Sequence, residues 1–157
     1  MKKGVILLLM VIFAIGCSSK KTVAEEKKEP AVQYRDDFRS VSPSAKKKFL
    51  SEMKATGETA SVIILTKGFK GEKVTITNEN KVLYSGVPIS NLGTGIAGYI
   101  TINNRVDTKI TDESSKKEAL IDVENAKKYK FVYVMKDALQ QGNPYIITYS
   151  NTLRPLK

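Results

Sequence analysis

Ser61–Lys67 reads SVIILTK, with apolar residues at every position from Val62 to Leu65. Successive side chains of a strand point to opposite faces. A run that is apolar on both faces therefore fits a central strand with cover on each side. From here onward the apolar residues recur with period two. Lys73–Thr77 (KVTIT) puts Val74 and Ile76 inward, Asn78-Glu79-Asn80 is turn chemistry, and Val82 and Tyr84 resume the inward face, so the pair reads as a hairpin. Tyr99–Asn103 (YITIN) places Ile100 and Ile102 together, and Asn103-Asn104 turns the chain into Val106, Thr108 and Ile110. Asp112–Lys117 (DESSKK) is a polar loop, after which Ala119, Ile121 and Val123 alternate. Tyr129–Met135 (YKFVYVM) and Tyr145–Ser150 (YIITYS) complete about eight strands, with turns every 8–15 residues or so.

Parallel neighbours joined directly need crossovers of about a dozen residues or more, usually helical. None is legible here, so the expected sheet is antiparallel. Strands that are apolar on both faces call for two packed layers. The expectation is a mainly β chain: an antiparallel β-sandwich of immunoglobulin-like or jelly-roll type preceded by one short helix, with a small β-barrel as the alternative.

That helix is legible upstream. Ser42 suits the cap and Pro43 the first turn. Ala45, Phe49 and Met53 recur every fourth residue with Leu50 beside them, Lys46, Lys47 and Lys48 face away, and Gly57 is the stop. A lysine triplet of this kind is normally a solvated helix face. Tyr34–Val41 has helical spacing at Tyr34, Phe38 and Val41 but reads equally well as an extended lead-in. Ser18–Gln33 (SSKKTVAEEKKEPAVQ) is polar and mixed in charge, too poor in apolar surface to offset ordering entropy, and reads as a tether.

The N-terminus decides the expected compartment. Lys2 and Lys3 precede an apolar run from Gly4 to Gly16. As a helix it would rise only about 20 Å, short of the roughly 30 Å hydrocarbon core, which suits a signal-peptide core. It ends in Ala14-Ile15-Gly16-Cys17, which resembles the lipobox of bacterial lipoproteins. The resemblance covers residues 1–17. It implies cleavage before Cys17, a thioether-linked diacylglyceryl group on that sulfur, and often a third acyl chain on its amine. The expected division is 1–16 signal peptide, 17–33 lipidated Cys and tether, 34–58 lead-in with the short helix, and 59–157 the sandwich. Inner and outer membrane are not distinguished.

Composition narrows the chemistry. The 157 residues hold 26 Lys+Arg against 16 Asp+Glu, no His, no Trp and one Cys. An intrachain disulfide and every site that needs imidazole are excluded. Removing residues 1–16 takes Lys2 and Lys3 and no acid, leaving 24 basic against 16 acidic residues. The excess is spread along the chain. It suits anionic lipid headgroups or envelope polymers, or simply a soluble surface. Nucleic acid is a poor partner outside the cytoplasm.

Several motifs match only on paper. Gly93-Thr-Gly95-Ile-Ala-Gly98 spells G-x-G-x-x-G, but it leads into a strand pattern rather than a helix, so no dinucleotide site is expected. Ser44/Lys47, Ser51/Lys54 and Ser114/Lys117 spell S-x-x-K without the S-D-N and K-T-G elements of penicillin-binding enzymes. Asp36-Asp37 and Asp112-Glu113 are adjacent pairs whose side chains would diverge on a strand. Asp107, Asp112, Asp122 and Asp137 lack a calcium-loop spacing. No metal or cofactor is called for.

Two features remain as binding candidates. Ser90–Gly98 (SNLGTGIAG) reads as a flexible rim loop, with Ser90, Asn91, Gly93, Thr94 and Gly95 as candidate contacts. Tyr129, Phe131 and Tyr133 share a face by period two, and Tyr129, Tyr133 and Tyr99 are candidate aromatic contacts, though the core competes for them. The expected function is a non-catalytic binding module on a membrane-anchored cell-envelope lipoprotein, its partner an envelope protein or glycan. The alternatives are a carboxylate-dependent hydrolase of envelope polysaccharide, which needs two carboxyl groups about 5–9.5 Å apart in a cleft, and an inhibitor or assembly factor docking by an edge strand.

Overall fold

The computed structural model describes residues 29–156; the stretch read as a signal peptide, Cys17 and the stretch read as a tether through residue 28 lie outside the described residues. Among the described residues nine strands and two helices follow in the order β1 (Ala31–Tyr34), α1 (Pro43–Glu52), β2 (Ala60–Leu65), β3 (Val74–Asn78), β4 (Lys81–Gly86), β5 (Gly98–Asn103), β6 (Thr108–Asp112), β7 (Glu118–Ile121), α2 (Val123–Lys128), β8 (Phe131–Lys136) and β9 (Tyr145–Ser150). They form a five-stranded sheet, β1-β9-β8-β2-β5, and a four-stranded sheet, β4-β3-β6-β7. The result is a β-sandwich, and neither sheet closes into a barrel.

The main core lies between the sheets. Ile63, Leu65, Val132, Val134 and Ile147 from one sheet meet Val74, Ile76, Ile110 and Ile121 from the other. A second cluster covers the outer face of the five-stranded sheet. There Val62, Ile64, Phe131 and Tyr133 pack under Phe49, Leu50 and Met53 and under the C-terminal Leu153 and Leu156. That third layer is why β2 and β8 are apolar on both faces. Each fully buried aliphatic or aromatic side chain contributes about 1.5–3 kcal/mol, so central strands covered on both faces hold much of the stability.

The four-stranded sheet is antiparallel as expected. The five-stranded sheet is mixed: β1 runs parallel to β9 and β2 runs parallel to β8. The expectation of all-antiparallel pairing fails because these partners are far apart in the chain. The second sheet, β5 and α2 themselves make the crossover from β2 to β8, so no dedicated helix is required. Ala31–Tyr34 pairs with Ile146–Tyr149, so the strand begins inside the stretch read as tether.

Three local differences have clear causes. A bulge after Ile76 pairs Thr77 with Val82 and Ile76 with Tyr84, which turns Val82 outward to 57% exposure. Val123 starts α2 instead of extending β7, because the Asp122 carboxylate accepts the Asn125 N–H at 2.8 Å and caps a helix. The first helix ends before Gly57: Ala55 N–H reaches Leu50 O at 2.8 Å and Lys54 N–H reaches Ser51 O at 3.0 Å. That is a Schellman closure with Lys54, at φ 52°, where glycine is usual. Ser42 does cap the helix, accepting from Ala45 N, whereas Ala45 itself is exposed.

The strands define two ends. β1 and β9 start at one end, which also carries the connections 66–73, 87–97, 113–117 and 137–144. We refer to this end, where residue 29 joins the fold, as proximal. The distal end carries residues 53–59, 79–80, 104–107 and 122–130.

Candidate functional site

At the proximal end the 90–98 segment is tied by hydrogen bonds rather than loose. Ser90 Oγ donates to Thr66 O at 2.7 Å and accepts from Phe69 N–H at 3.0 Å. Asn91 Oδ1 accepts from the N–H groups of Gly93 and Thr94, each at 2.9 Å. Gly95 takes φ 69° and its N–H reaches Asn91 O at 2.7 Å, so the backbone turn explains the glycine without any ligand. The G-x-G-x-x-G string closes this turn and leads directly into β5.

Thr94 and Gly95 border a groove of about 300 Å³ with Lys67, Tyr133, Met135 and Arg154. Two sequence candidates, the loop and Tyr133, thus share one cleft. Tyr133 is buried, however, and its hydroxyl donates to Thr152 O and accepts from Arg154 N–H, both at 2.9 Å. The Arg154 guanidinium is stacked 3.5 Å from the Phe38 ring centre and 4.0 Å from that of Tyr133. Tyr133 and Arg154 hold the C-terminal segment against the sheet, and Tyr133 forms a wall rather than a protruding contact.

The expected aromatic row does not form. Tyr129 precedes β8 at the end of α2 and packs toward the inter-sheet core, while Phe131 and Tyr133 face the outer cluster. Tyr129 joins Tyr34 and Tyr149, with ring centres 5.6–5.8 Å apart. Tyr99 is partly exposed with its ring edge against Phe49 at 5.4 Å, and burial raises its pKa.

The distal end holds the larger cleft, a groove of about 520 Å³ between residues 56–59, the Asn104-Arg105 turn, the end of α2 and Asn151. Its floor is polar and self-satisfied. Ser61 Oγ donates to Ala126 O at 2.8 Å, and Asn104 Nδ2 donates to Glu58 O at 2.8 Å and to Ser61 Oγ at 3.1 Å. Lys130 Nζ donates to Gly57 O and Ala60 O, both at 2.6 Å, and Lys46 Nζ donates to Asn151 O at 2.8 Å. Burial, then the neighbouring Lys46 charge, lowers the Lys130 pKa, with Glu58 opposing. Arg105, Lys127 and Lys128 stand exposed on the walls beside Tyr129. A second groove of about 520 Å³ shares Thr59 and Arg105 and adds Lys81. Cationic walls over a hydrogen-bonded floor that itself holds Lys130, with Glu58 as the opposing charge among the lining residues, suit anionic groups arranged along a chain.

Local sequence builds these walls. Asp107 Oδ1 accepts Val123 N–H at 2.8 Å and Asp122 caps α2, which fixes where Lys127 and Lys128 fall. Both lysines close the last turn, where cations offset the helix dipole. The one sign of this site legible in the sequence is Lys127-Lys128-Tyr129-Lys130 just before a strand.

The four aspartates do not converge. Asp107 and Asp122 organise α2, Asp137 Oδ1 accepts Leu139 N–H at 2.9 Å, and Asp112 belongs to a buried ion cluster. In that cluster Lys136 Nζ contacts Glu72 and, at 2.7 Å, Asp112. The side chains of Lys136 and Asp112 are 12% and 5% exposed. Burial pushes Asp112 up, but the bond from Lys136 and the N–H groups of Ser115 and Ser114 outweigh it and bring its pKa to about 2. Burial likewise opposes the Lys136 bond at Glu72, whose pKa is lowered overall. Among the described residues no group of three His, Cys, Asp or Glu is placed to hold a metal ion. Also among them, no helix is long and apolar enough to cross a membrane.

No known protein-family model matches the chain, and no curated protein matches it.

Proposed function

We propose that the chain is a cell-envelope lipoprotein, anchored through Cys17, whose sandwich binds an anionic envelope glycan or polymer in the distal groove without acting on it. The observation that carries this reading is the distal cleft itself, with Arg105, Lys127 and Lys128 exposed around a floor whose own polar groups are already paired. Direction adds support. The chain joins the fold at the proximal end, so the groove faces away from the anchor by one strand length, about 20 Å for six residues.

Catalysis is less well supported. A carboxylate hydrolase needs a carboxylic acid whose pKa is raised for proton donation. Glu72 and Asp112 meet on one lysine, both pKa values are lowered, and neither lines the three grooves described, while Glu58 and Glu79, which do line the distal grooves, are exposed and belong to separate grooves.

The test is a binding isotherm of the purified protein with polygalacturonate, and with dextran as the neutral control. Polygalacturonate binds and weakens with salt, since the Debye length falls to about 8 Å at physiological ionic strength. The Arg105→Gln/Lys127→Gln/Lys128→Gln variant loses roughly tenfold in affinity. Equal binding of dextran, or an unchanged variant, refutes the proposal.

A further inference from the structure

The three most exposed large apolar side chains among the described residues are Leu92 at 103%, Leu139 at 91% and Ile89 at 66%, and all three lie on proximal connections. Val87 joins them. It lies beside Ile89 over Gly71, where a Cβ would be 3.8 Å from each. Scattered exposed apolar residues need no explanation, but a concentration on loop tips at one end does.

These tips are held in place. Ile89 bridges Lys70, Gly71 N–H donates to Pro88 O at 3.1 Å, and Ser90 N–H donates to Phe69 O at 2.9 Å. Leu139 sits in a turn fixed by Asp137, whose own N–H reaches Pro144 O at 2.8 Å. The loops therefore present the tips without the entropy cost of ordering them on contact.

The surrounding charge is complementary to an anionic surface. Lys67, Lys70 and Lys73 are exposed on the connection between β2 and β3. Of the acids at this end, Glu72 and Asp112 are taken up by Lys136, Glu113 pairs with Lys116, and Glu118 pairs with Lys109. Asp137 and Glu29 remain as opposing charges. The chain position points the same way. Residue 29 joins the fold at this end, and the apolar run ending at Cys17 lies twelve residues upstream.

Resting on the reading that the chain is anchored through Cys17, we infer that the proximal end is a second membrane contact. Leu92, Leu139, Ile89 and Val87 dip into the interface of an anionic lipid bilayer while the lysines meet its headgroups. The domain then stands on the membrane and holds the distal groove outward, rather than tumbling on its tether.

The absence of Trp makes the test direct. Single probes are introduced in the full acylated protein by Leu92→Trp, Leu139→Trp and, as the distal control, Val82→Trp. Each is reconstituted on vesicles of phosphatidylcholine and phosphatidylglycerol in equal parts, with and without brominated acyl chains. The Leu92→Trp and Leu139→Trp probes shift to shorter wavelength and lose most of their emission to bromolipid, and the Val82→Trp probe does neither. If the protein floats with the vesicles but all three probes behave alike, the contact is overturned and the anchor stands. Failure to float overturns both. Proximal probes that stay wet on lipid yet shift with a protein partner also overturn it.

Discussion

Replacing Lys136 by methionine keeps the unbranched side chain to its fourth atom and removes the charge on which Glu72 and Asp112 converge. With Lys136 and Asp112 at 12% and 5% exposure, removing one member leaves carboxylates buried beside each other. Breaking a buried ion pair in this way costs about 3–5 kcal/mol. The pH dependence separates this cause from simple repacking. In the native protein Asp112 falls from 3.8 unfolded to about 2 folded. At about 1.4 kcal/mol per unit this supplies about 2 kcal/mol of stability. A depressed carboxylate gives that stability above its unfolded pKa and loses it as pH falls through the folded value. Native stability therefore declines between about pH 4 and 2. In Lys136→Met the two carboxylates repel, so their pKa values rise and the slope reverses: the variant gains stability as pH falls from 7 toward 5, when one proton is taken up. The assay is urea unfolding followed by circular dichroism from pH 2 to 8. Adding Glu72→Gln and Asp112→Asn to Lys136→Met restores most of the loss at pH 7. A Lys136→Met profile parallel to the native one refutes the reasoning.

Two further substitutions test the backbone reading. Lys54→Gly relieves a left-handed residue at the end of α1 and raises stability by about 1 kcal/mol in the same urea assay, because a Cβ at that φ costs about 1–2 kcal/mol. Gly68→Ala has the opposite effect. At φ 91° its Cβ would lie 1.8 Å from Lys136 O, so the variant loses more than the roughly 1 kcal/mol of an ordinary Gly effect and melts at clearly lower temperature.

The central strand was legible because burial on both faces leaves a mark in the residues themselves, as in Val62–Leu65. What covers the second face was not legible. Leu153 and Leu156 reach it from the far end of the chain, and α1 shows only a short stripe. Parallel pairing left no local sign either: Val62–Leu65 binds Phe131–Val134, and nothing in either segment specifies direction. The bulge at Ile76/Thr77 flips Val82 and has no glycine to mark it in the sequence, and Asp122 converts an apparent strand at Val123 into a helix. Of the aromatic candidates Tyr133 is lost to the core, where its burial contributes more to stability than a surface position would, whereas Tyr129 lines the distal groove and Tyr99 stays partly exposed. The distal groove draws on four separated segments, so only Lys127–Lys130 gave it any local trace.

The most direct measurement is a map of backbone amide chemical shifts in the ¹⁵N-labelled protein as polygalacturonate is added. Shifts confined to Gly57–Thr59, Asn104-Arg105, Lys127–Lys130 and Asn151, reversed by salt, are the result the account requires. Shifts spread over every lysine-bearing surface, or centred on Thr94, Gly95 and Arg154 at the opposite end, would contradict it.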